Sequence, residues 1–277
     1  MSWQTFGHEA VKNILNKQIN SGHLSHAYLF KGPVGIGKKT LALEFAQKVL
    51  QTQKLENHPD FQILDPPGEI TVELTLDFIS KLAFKPFLGT KKVAIINNAE
   101  NLNIQSSNAL LKTLEEPSPS TIIILISGFG RVLPTIFSRC QTFNFNGFSA
   151  ARQKNFAQQS GLKFTDEIIA LSFGRIGRLA RLANDQEFFN QQSQMLENYT
   201  QLRGKSLGEK FSAISRYAEL EPAELEDHFS LWLNWQTREL AQKPQDYGKV
   251  KALCDSLLGI KINKNKKLLL QSLFLKI

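Results

Sequence analysis

Three glycines and a lysine in the first part of the chain have the spacing of a loop that binds phosphate. Gly32 and Gly37 are separated by four residues, with Gly35 between them, and Lys38 follows directly. Glycines let backbone N–H groups turn toward a phosphate, and the N-terminus of a following helix adds a favourable dipole. The lysine would reach the outer phosphate groups. The pattern predicts a site for a nucleoside phosphate, and a glycine turn without a ligand is the alternative.

The residue after the loop lysine is unsuited to hold a magnesium ion. A hydroxyl side chain normally stands there as a magnesium ligand, but this chain has Lys39, and Thr40 comes one residue later. One residue along a helix corresponds to a rotation of about 100°. We therefore expect Thr40 to point away from the phosphates.

Two amides follow a strongly apolar segment that is typical of a buried strand. Residues 92–96 read Lys-Val-Ala-Ile-Ile, and Asn97 and Asn98 come next. In nucleotide hydrolases one or two acids stand here, because magnesium and the attacking water both need negative charge. An amide brings no charge and cannot act as a general base. We expect these residues to hold a turn without hydrolysis, and Glu100 to face a different spot.

Composition limits the classes of protein to which the chain can belong. Its 277 residues are 42% hydrophobic and 21% charged, which suits two or three ordinary domains. No segment has the ~20 consecutive apolar residues of a membrane span, and the first residues do not resemble a secretory signal. The two cysteines, Cys140 and Cys254, exclude a disulfide framework and a four-cysteine zinc site, and fit a reducing cytoplasm. The net charge of +8 permits nucleic-acid contact and fits a merely basic protein equally well.

Apolar patterning predicts parallel strands joined by helices in the first half of the chain, and helices alone after Ser149. We expect an α/β domain at 1–147, a small helical domain at 148–200 and a second helical domain at 201–277. The predicted strands are residues 27–30, 61–64, 93–96, 122–126 and 141–146. The predicted helices of the first half are residues 41–50, 71–84 and 104–115.

Two longer motifs complete the first half. Residues 107–117 read Ser-Asn-Ala-Leu-Leu-Lys-Thr-Leu-Glu-Glu-Pro, an amphipathic helix ended by proline. Residues 133–141 read Leu-Pro-Thr-Ile-Phe-Ser-Arg-Cys-Gln and lie just before the last predicted strand. Taken alone, this second motif indicates only that Arg139 is a surface arginine.

These motifs, with His-Ala-Tyr-Leu-Phe-Lys-Gly-Pro at 26–33 and His-Pro-Asp at 58–60, resemble the clamp-loader branch of the AAA+ ATPases, and within it subunits of bacterial DNA polymerase III. The resemblance covers most of residues 6–146. It implies an AAA+ phosphate-loop domain, then a small helical lid domain and a C-terminal all-α collar domain that joins subunits. Arg139 matches the arginine finger that such a subunit extends into its neighbour's ATP site, and Ser127 falls at the sensor-1 position.

The resemblance also implies partners. They are ATPase subunits of the gamma/tau type, delta-type subunits, the beta sliding clamp and, through the complex, primed DNA. No membrane is implied. The family's four-cysteine zinc module has no counterpart, because residues 51–57 contain no cysteine. We therefore expect no zinc and no other metal.

Four departures from the family pattern fall at positions that serve ATP hydrolysis. They are Lys39, Asn97, Asn98 and Gly177, the last of which replaces the sensor-2 arginine. Arg175 or Arg178 would have to compensate for that loss. The resemblance then implies a subunit that needs no cofactor and does not hydrolyse ATP, with binding of ATP or ADP left open.

Two other functions remain open from the sequence. In one, the chain is an active ATPase in which Thr40 and Glu100 replace the lost groups. In the other, it is a sensor that holds ATP without splitting it.

Two clusters in the helical part have more than one interpretation. Arg175, Arg178 and Arg181 are spaced to form one basic helix edge, which would face either DNA or solvent. Trp232 and Trp235 lie three residues apart on a predicted helix. We expect these tryptophans to pack in the core or at a subunit interface, in preference to stacking on bases.

Overall fold

The chain divides into two compact units. The computed structural model describes residues 2–128, 132–240, 243–261 and 265–277, with only the backbone of Lys261. The first unit comprises the residues up to 149 together with 175–177, and the second comprises 150–174 and 178–277. Among the described residues, no helix is both long and apolar enough to cross a membrane. The division into three domains stays a prediction, and its boundary at 200/201 falls within a helix.

The first unit is built on a five-stranded sheet with the order β2-β3-β4-β1-β5, and all neighbouring strands are parallel. The α/β architecture expected from the sequence is therefore confirmed. Every residue of β3 and β4 is buried, as expected for a parallel sheet covered by helices on both faces. The strands are β1 (Ala27–Lys31), β2 (Phe61–Leu64), β3 (Lys92–Ile96), β4 (Thr121–Ser127) and β5 (Gln141–Asn144).

Five α-helices accompany the sheet: α1 precedes β1, and the other four lie between successive strands. The bounds of α4 agree with the prediction, since Asn103 caps its N-terminus by accepting from the backbone N–H of Ser106 at 2.8 Å and Pro117 follows its end. The helices α1 and α5 were not predicted, and α3 is shorter than predicted. The helices are α1 (Glu9–Ser21), α2 (Lys38–Leu50), α3 (Val72–Leu82), α4 (Ile104–Glu115) and α5 (Pro134–Phe137).

The second unit is helical throughout its described secondary structure, apart from turns. Trp232 is fully buried and stacks on Tyr199 with ring centroids 5.0 Å apart, and Trp235 packs against the same core. The prediction that the tryptophans are core residues is confirmed. The helices are α6 (Ala150–Gln159), α7 (Asp166–Leu171), α8 (Ile176–Asn184), α9 (Gln186–Gly204), α10 (Leu207–Glu219), α11 (Pro222–Leu240), α12 (Tyr247–Lys261) and α13 (Lys266–Phe274).

Candidate functional site

The glycine-rich segment forms a tight loop between β1 and α2. Gly32, Gly35 and Gly37 have φ values of 156°, 77° and 102°, a region that favours glycine. At Gly32 a Cβ atom would lie 2.2 Å from the carbonyl oxygen of Phe145. The same glycine donates its N–H to the carbonyl oxygen of Ser127 at 3.2 Å. The predicted strand–loop–helix context is therefore present.

Lys38 is turned inward and is satisfied by its own loop. Its side chain is 5% exposed, and its ammonium donates to the carbonyl oxygens of Gly32 and Pro33, both at 2.6 Å. Burial lowers the pKa of Lys38 to about 8, the negative charge of Glu100 works against this shift, and the positive charge of Arg175 adds to it. The ammonium that would contact outer phosphates thus binds the loop carbonyls.

The start of α8 is hydrogen-bonded to this loop. The N–H of Gly177 donates to the carbonyl oxygen of Gly35 at 2.8 Å, and both residues belong to the first unit. A Cβ atom on Gly177 would lie 3.0 Å from that oxygen. Gly177, which matches the family's sensor-2 arginine, therefore packs its backbone directly against the backbone of the phosphate loop.

An ion pair lies directly after the phosphate loop, between the first turn of α2 and the end of β2. The ammonium of Lys39 lies 2.6 Å from Oδ2 of Asp65, and the Asn97 side-chain amide donates to Oδ1 of Asp65 at 2.8 Å. Desolvation raises the pKa of the Asp65 carboxyl, but the hydrogen bonds from Lys39 and Asn97 and the lysine charge outweigh it and leave that pKa lowered. A protein cation thus neutralises the carboxylate.

This cluster does not fit a magnesium ion. Magnesium takes an octahedral set of oxygen ligands, whereas here an ammonium and an amide N–H both point at the one carboxylate of Asp65. Asp65 was not predicted as a site residue. It lies beside Asn97 because β2 and β3 are neighbours in the sheet, with Leu64 paired to Ile96 in parallel register.

The residues after Asn97 divide into a turn and a half-buried acid. Asn98 has φ 52° and ψ 48° and begins a short 3₁₀ helix, so the predicted turn is confirmed. Glu100 accepts from the N–H of Gly128 at 2.9 Å through Oε1, and its Oε2 is buried without a hydrogen-bond partner among the described residues. Glu100 therefore faces the end of β4 and Lys38, away from the Asp65 cluster.

Two further predicted site residues differ in burial. Ser127, the last residue of β4, is fully buried, and its hydroxyl donates to the carbonyl oxygen of Gly128 at 3.2 Å. Thr40 is exposed on α2. Its exposure agrees with the expectation that it points away from the loop.

Arg139 lies in the turn between α5 and β5, and its side chain is 33% exposed. Its Nη1 donates to the carbonyl oxygen of Thr135 at 2.8 Å and to Oγ of Ser138 at 3.3 Å. Its Nη2 donates to Oε1 of Glu115 at 2.5 Å. The adjacent Cys140 is chemically inert, because burial raises the pKa of its thiol to about 12.

Arg139 and the phosphate loop lie at opposite ends of the parallel strands. The loop follows the C-terminal end of β1, whereas Arg139 precedes the N-terminal end of β5, and these two strands are adjacent and parallel. Five residues of β1 span about 16 Å at ~3.3 Å per residue. The guanidinium is therefore remote from its own chain's loop.

The three arginines near α8 do not form one basic edge. Arg175 precedes the helix, which begins at Ile176. Arg178 is partly buried and donates to the carbonyl oxygen of Leu171 at 2.8 Å and to Gln192 at 2.6 Å. The prediction of a shared edge is wrong, because the helix begins one residue too late to include Arg175 and Arg178 is held inside its own unit.

Comparison with known proteins gives consistent matches. The family model described as "DNA polymerase III, delta subunit" matches residues 7–149. The DNA polymerase III subunit delta' of Pseudomonas aeruginosa is 33% identical over 202 residues, covering 64% of this chain and 61% of that protein. The subunit of the same name in Bacillus subtilis is 28% identical over 207 residues, covering 68% and 63%. The chain thus spans about three-fifths of the length of these relatives.

One solved structure matches almost the whole chain. It is that of a DNA polymerase III gamma subunit-related protein from Thermotoga maritima, with a TM-score of 0.53 at 20% sequence identity. The match covers 96% of this chain and 97% of that protein. At this identity the likeness concerns the fold alone, and the AAA+ fold expected from the sequence motifs is confirmed.

Proposed function

The chain belongs to the DNA polymerase III delta-subunit family and is a delta-prime-type member of the clamp-loader proteins. On that premise we propose that it does not hydrolyse ATP itself and supplies Arg139 to the ATP site of a neighbouring subunit. The observation that carries the proposal is the position of Arg139. It is partly exposed at the N-terminal ends of the strands, whereas the chain's own phosphate loop lies at their C-terminal ends.

The absence of hydrolysis is supported by the charge arrangement beside the loop. Hydrolysis requires a magnesium ion and a group that orients or deprotonates water. Lys39 and Asn97 instead both donate to Asp65, so the carboxylate at this edge is already neutralised by an ammonium. The ammonium of Lys38, which would hold outer phosphates, is instead bound to the carbonyl oxygens of Gly32 and Pro33.

The role of Arg139 is supported by the chemistry of its side chain. During phosphoryl transfer, negative charge is spread over the equatorial oxygens of the transferred group. A guanidinium always carries its charge and presents a rigid fork of donors to those oxygens. Supplied in trans, such an arginine accelerates related hydrolases by ~10³–10⁵-fold.

The proposed complex follows from the same assignment. The neighbour that receives Arg139 is an ATPase subunit of the gamma/tau type, and a delta-type subunit completes the assembly. The assembly opens the beta sliding clamp and places it on primed DNA. This chain contributes structure and one catalytic group, and its site of action is the cytoplasm.

A second function, the holding of nucleotide without hydrolysis, is favoured by one observation. The glycine loop keeps the backbone geometry that phosphate binding needs, with positive φ at three glycines. The phosphates of ATP or ADP would bind the loop N–H groups, and Lys38 would turn its ammonium toward them from the carbonyl oxygens of Gly32 and Pro33. Equilibrium binding of a fluorescent ATP analogue to the purified chain, with and without magnesium, tests this function.

The main proposal is tested by reconstitution. The chain is combined with its ATPase partner, the delta-type subunit, the clamp and primed DNA, and ATP turnover and clamp loading are measured for wild type, Arg139→Ala and Arg152→Ala. Arg152 is an exposed arginine of α6, outside the expected collar domain, and serves as the matched control. We expect Arg139→Ala to abolish stimulated turnover and the control variant to leave it unchanged. Magnesium-dependent turnover by the isolated chain would contradict the proposal.

A further inference from the structure

The backbone that carries Arg139 is fixed by a short helix with a buried anchor. The N–H of Ser138 donates to the carbonyl oxygen of Pro134 at 3.0 Å, and that of Arg139 donates to Ile136 at 3.1 Å. Ile136 is fully buried in the core below α4. The Cα of Arg139 is therefore held firmly. Its side chain still has several rotatable bonds, which only contacts of the guanidinium can restrain.

Two of the three guanidinium contacts come from the turn itself. Thr135 and Ser138 both bind Nη1 and leave Nη2 to be fixed by another group. That group is Glu115, whose Oε1 accepts from Nη2 at 2.5 Å. Among the described residues, Glu115 is the one contact that ties the guanidinium to a second element of the fold.

The location of Glu115 is unfavourable for its own helix. It is the last residue of α4, where the negative end of the helix dipole repels a carboxylate. The helix does not depend on Glu115 for its position, because Leu110 and Leu114 are buried and Asn103 caps its N-terminus. The ion pair with Arg139 is the interaction that offsets this repulsion.

We propose that Glu115 is the positioning residue of Arg139. This inference rests on the proposed function, since it concerns the same arginine. Glu115 holds Nη2 so that the guanidinium plane is oriented before the neighbouring subunit arrives. A guanidinium has five N–H donors. The contacts with Thr135, Ser138 and Glu115 use three of them, and within the described part of the chain Nε and one N–H of Nη2 are left to bind phosphate oxygens.

The size of the expected effect follows from the exposure of the pair. The Glu115 side chain is 48% exposed, and exposed ion pairs are weak. Misorientation of a catalytic group nevertheless slows the chemical step, so Glu115→Ala should lower kcat about three- to tenfold. The KM for ATP should not change, because Glu115 does not touch the nucleotide. Glu115→Gln should retain most activity, since its amide oxygen still accepts from Nη2.

The experiment compares Glu115→Ala, Glu115→Gln and Arg139→Ala in the reconstituted complex, with Glu116→Ala as control. Glu116 is the next residue, equally exposed at the same helix end. A lower kcat for Glu115→Ala, rescue by Glu115→Gln and no effect of Glu116→Ala would support the inference. An unchanged or higher kcat for Glu115→Ala, with Arg139→Ala inactive, would overturn it and leave the proposed function standing. If Arg139→Ala were fully active, the proposed function itself would fail.

A second measurement covers the case in which Glu115→Ala affects folding. In the isolated chain, ¹⁵N relaxation of the Arg139 side chain reports the motion of the guanidinium. We expect Glu115→Ala to increase this motion and Glu115→Gln to leave it near the wild-type level. Equal motion in all three proteins would overturn the inference without reference to ATP turnover.

Discussion

The ammonium of Lys39 lies 2.6 Å from Oδ2 of Asp65, beside the phosphate loop and at the edge of the sheet where magnesium would be bound in a hydrolase. The pair joins the first turn of α2 to the end of β2, and Asn97 completes it from β3. The carboxylate of Asp65 is therefore already neutralised by an internal cation.

This arrangement predicts that magnesium affinity can be restored by two substitutions. Lys39→Ser removes the ammonium and supplies a hydroxyl, and Asn97→Asp adds a second carboxylate beside Asp65. Together they create the oxygen ligands that magnesium prefers. Millimolar magnesium should raise the Tm of the double variant and leave that of the wild type unchanged, as measured by differential scanning fluorimetry.

The single variant Asn97→Asp is the control, because it keeps Lys39 and should not respond to magnesium. An equal increase in the Tm of the wild type would show that the Lys39–Asp65 pair does not replace the ion. The proposal that this chain does not hydrolyse ATP would then lose the support of the Lys39–Asp65 pair.

Gly32→Ala should be strongly destabilising. The residue has φ 156°, and a Cβ atom would meet the carbonyl oxygen of Phe145 at 2.2 Å, a backbone atom that cannot easily move. Steric overlap and backbone strain together should lower the free energy of unfolding by roughly 3 kcal/mol or more. Urea unfolding measures the difference.

Gly22→Ala provides the matched control for this substitution. Gly22 also has positive φ, 73°, but no neighbouring atom of the described residues lies within 4 Å of its Cβ position. Gly22→Ala should lower the free energy of unfolding through backbone strain alone, by about 1 kcal/mol. Equal costs for the two variants would contradict the close approach between the loop and Phe145.

Lys38 should make stability depend on pH in the alkaline range. Its pKa is lowered to about 8 from 10.5, so between these values the folded chain binds fewer protons at this site than the unfolded chain. Stability from this group therefore rises with pH through that window. Relative to Lys38→Met, the wild type should gain free energy of unfolding between pH 7.5 and about 10.

Urea unfolding at several pH values tests this difference. The exposed Lys112→Met on α4 is the control and should give a pH profile parallel to that of the wild type. If the Lys38→Met profile also ran parallel, the ammonium of Lys38 would not be desolvated in the folded chain.

Asp60, from the His-Pro-Asp motif, should be a stabilising residue. It is 2% exposed and accepts from the backbone N–H groups of Phe87, Leu88 and Gly89 at 2.5, 2.8 and 3.3 Å. Asp60→Ala leaves these donors without their acceptor, so the free energy of unfolding should fall by about 2–3 kcal/mol. The exposed Asp77→Ala should change it by less than about 0.5 kcal/mol.

The contribution of Asp60 should also depend on pH. Desolvation raises the pKa of its carboxyl, but the three backbone hydrogen bonds and the charge of His58 outweigh it, so the pKa is lowered. The stabilisation is then complete above the ordinary pKa of aspartate and is lost as pH falls through the lowered value. A difference between wild type and Asp60→Ala that persisted unchanged at strongly acidic pH would contradict this role.

Local sequence patterns were sufficient to predict the strands of the sheet and the helix α4. Buried parallel strands read as continuous apolar runs, and α4 has both a capping residue and a terminating proline. The helix α5 was missed because it has four residues, too few for a helical period, and is held by the burial of Ile136. The helix α1 was missed as well, with Val11 and Leu15 as its buried residues.

Residue types were sufficient to recognise the phosphate loop and the residues that differ from the family pattern. They did not show which residues these side chains and backbone groups contact in the fold. The contact of Lys39 with Asp65 depends on which strands are neighbours, and that of Gly177 with Gly35 joins distant parts of the chain. Neither leaves a periodic signal in the sequence. Glu100 is similar, because its direction toward Gly128 is set by the turn at Asn98.

The most direct test of the central claim is the single-turnover rate of ATP hydrolysis by the neighbouring subunit in the reconstituted complex. We predict that Arg139→Ala lowers this rate by ~10³-fold or more, with little change in ATP affinity. Arg139→Lys should recover only a small part of it, because an ammonium cannot reproduce the guanidinium fork. A rate equal to that of the wild type in the Arg139→Ala complex would contradict the claim that this chain completes its neighbour's active site.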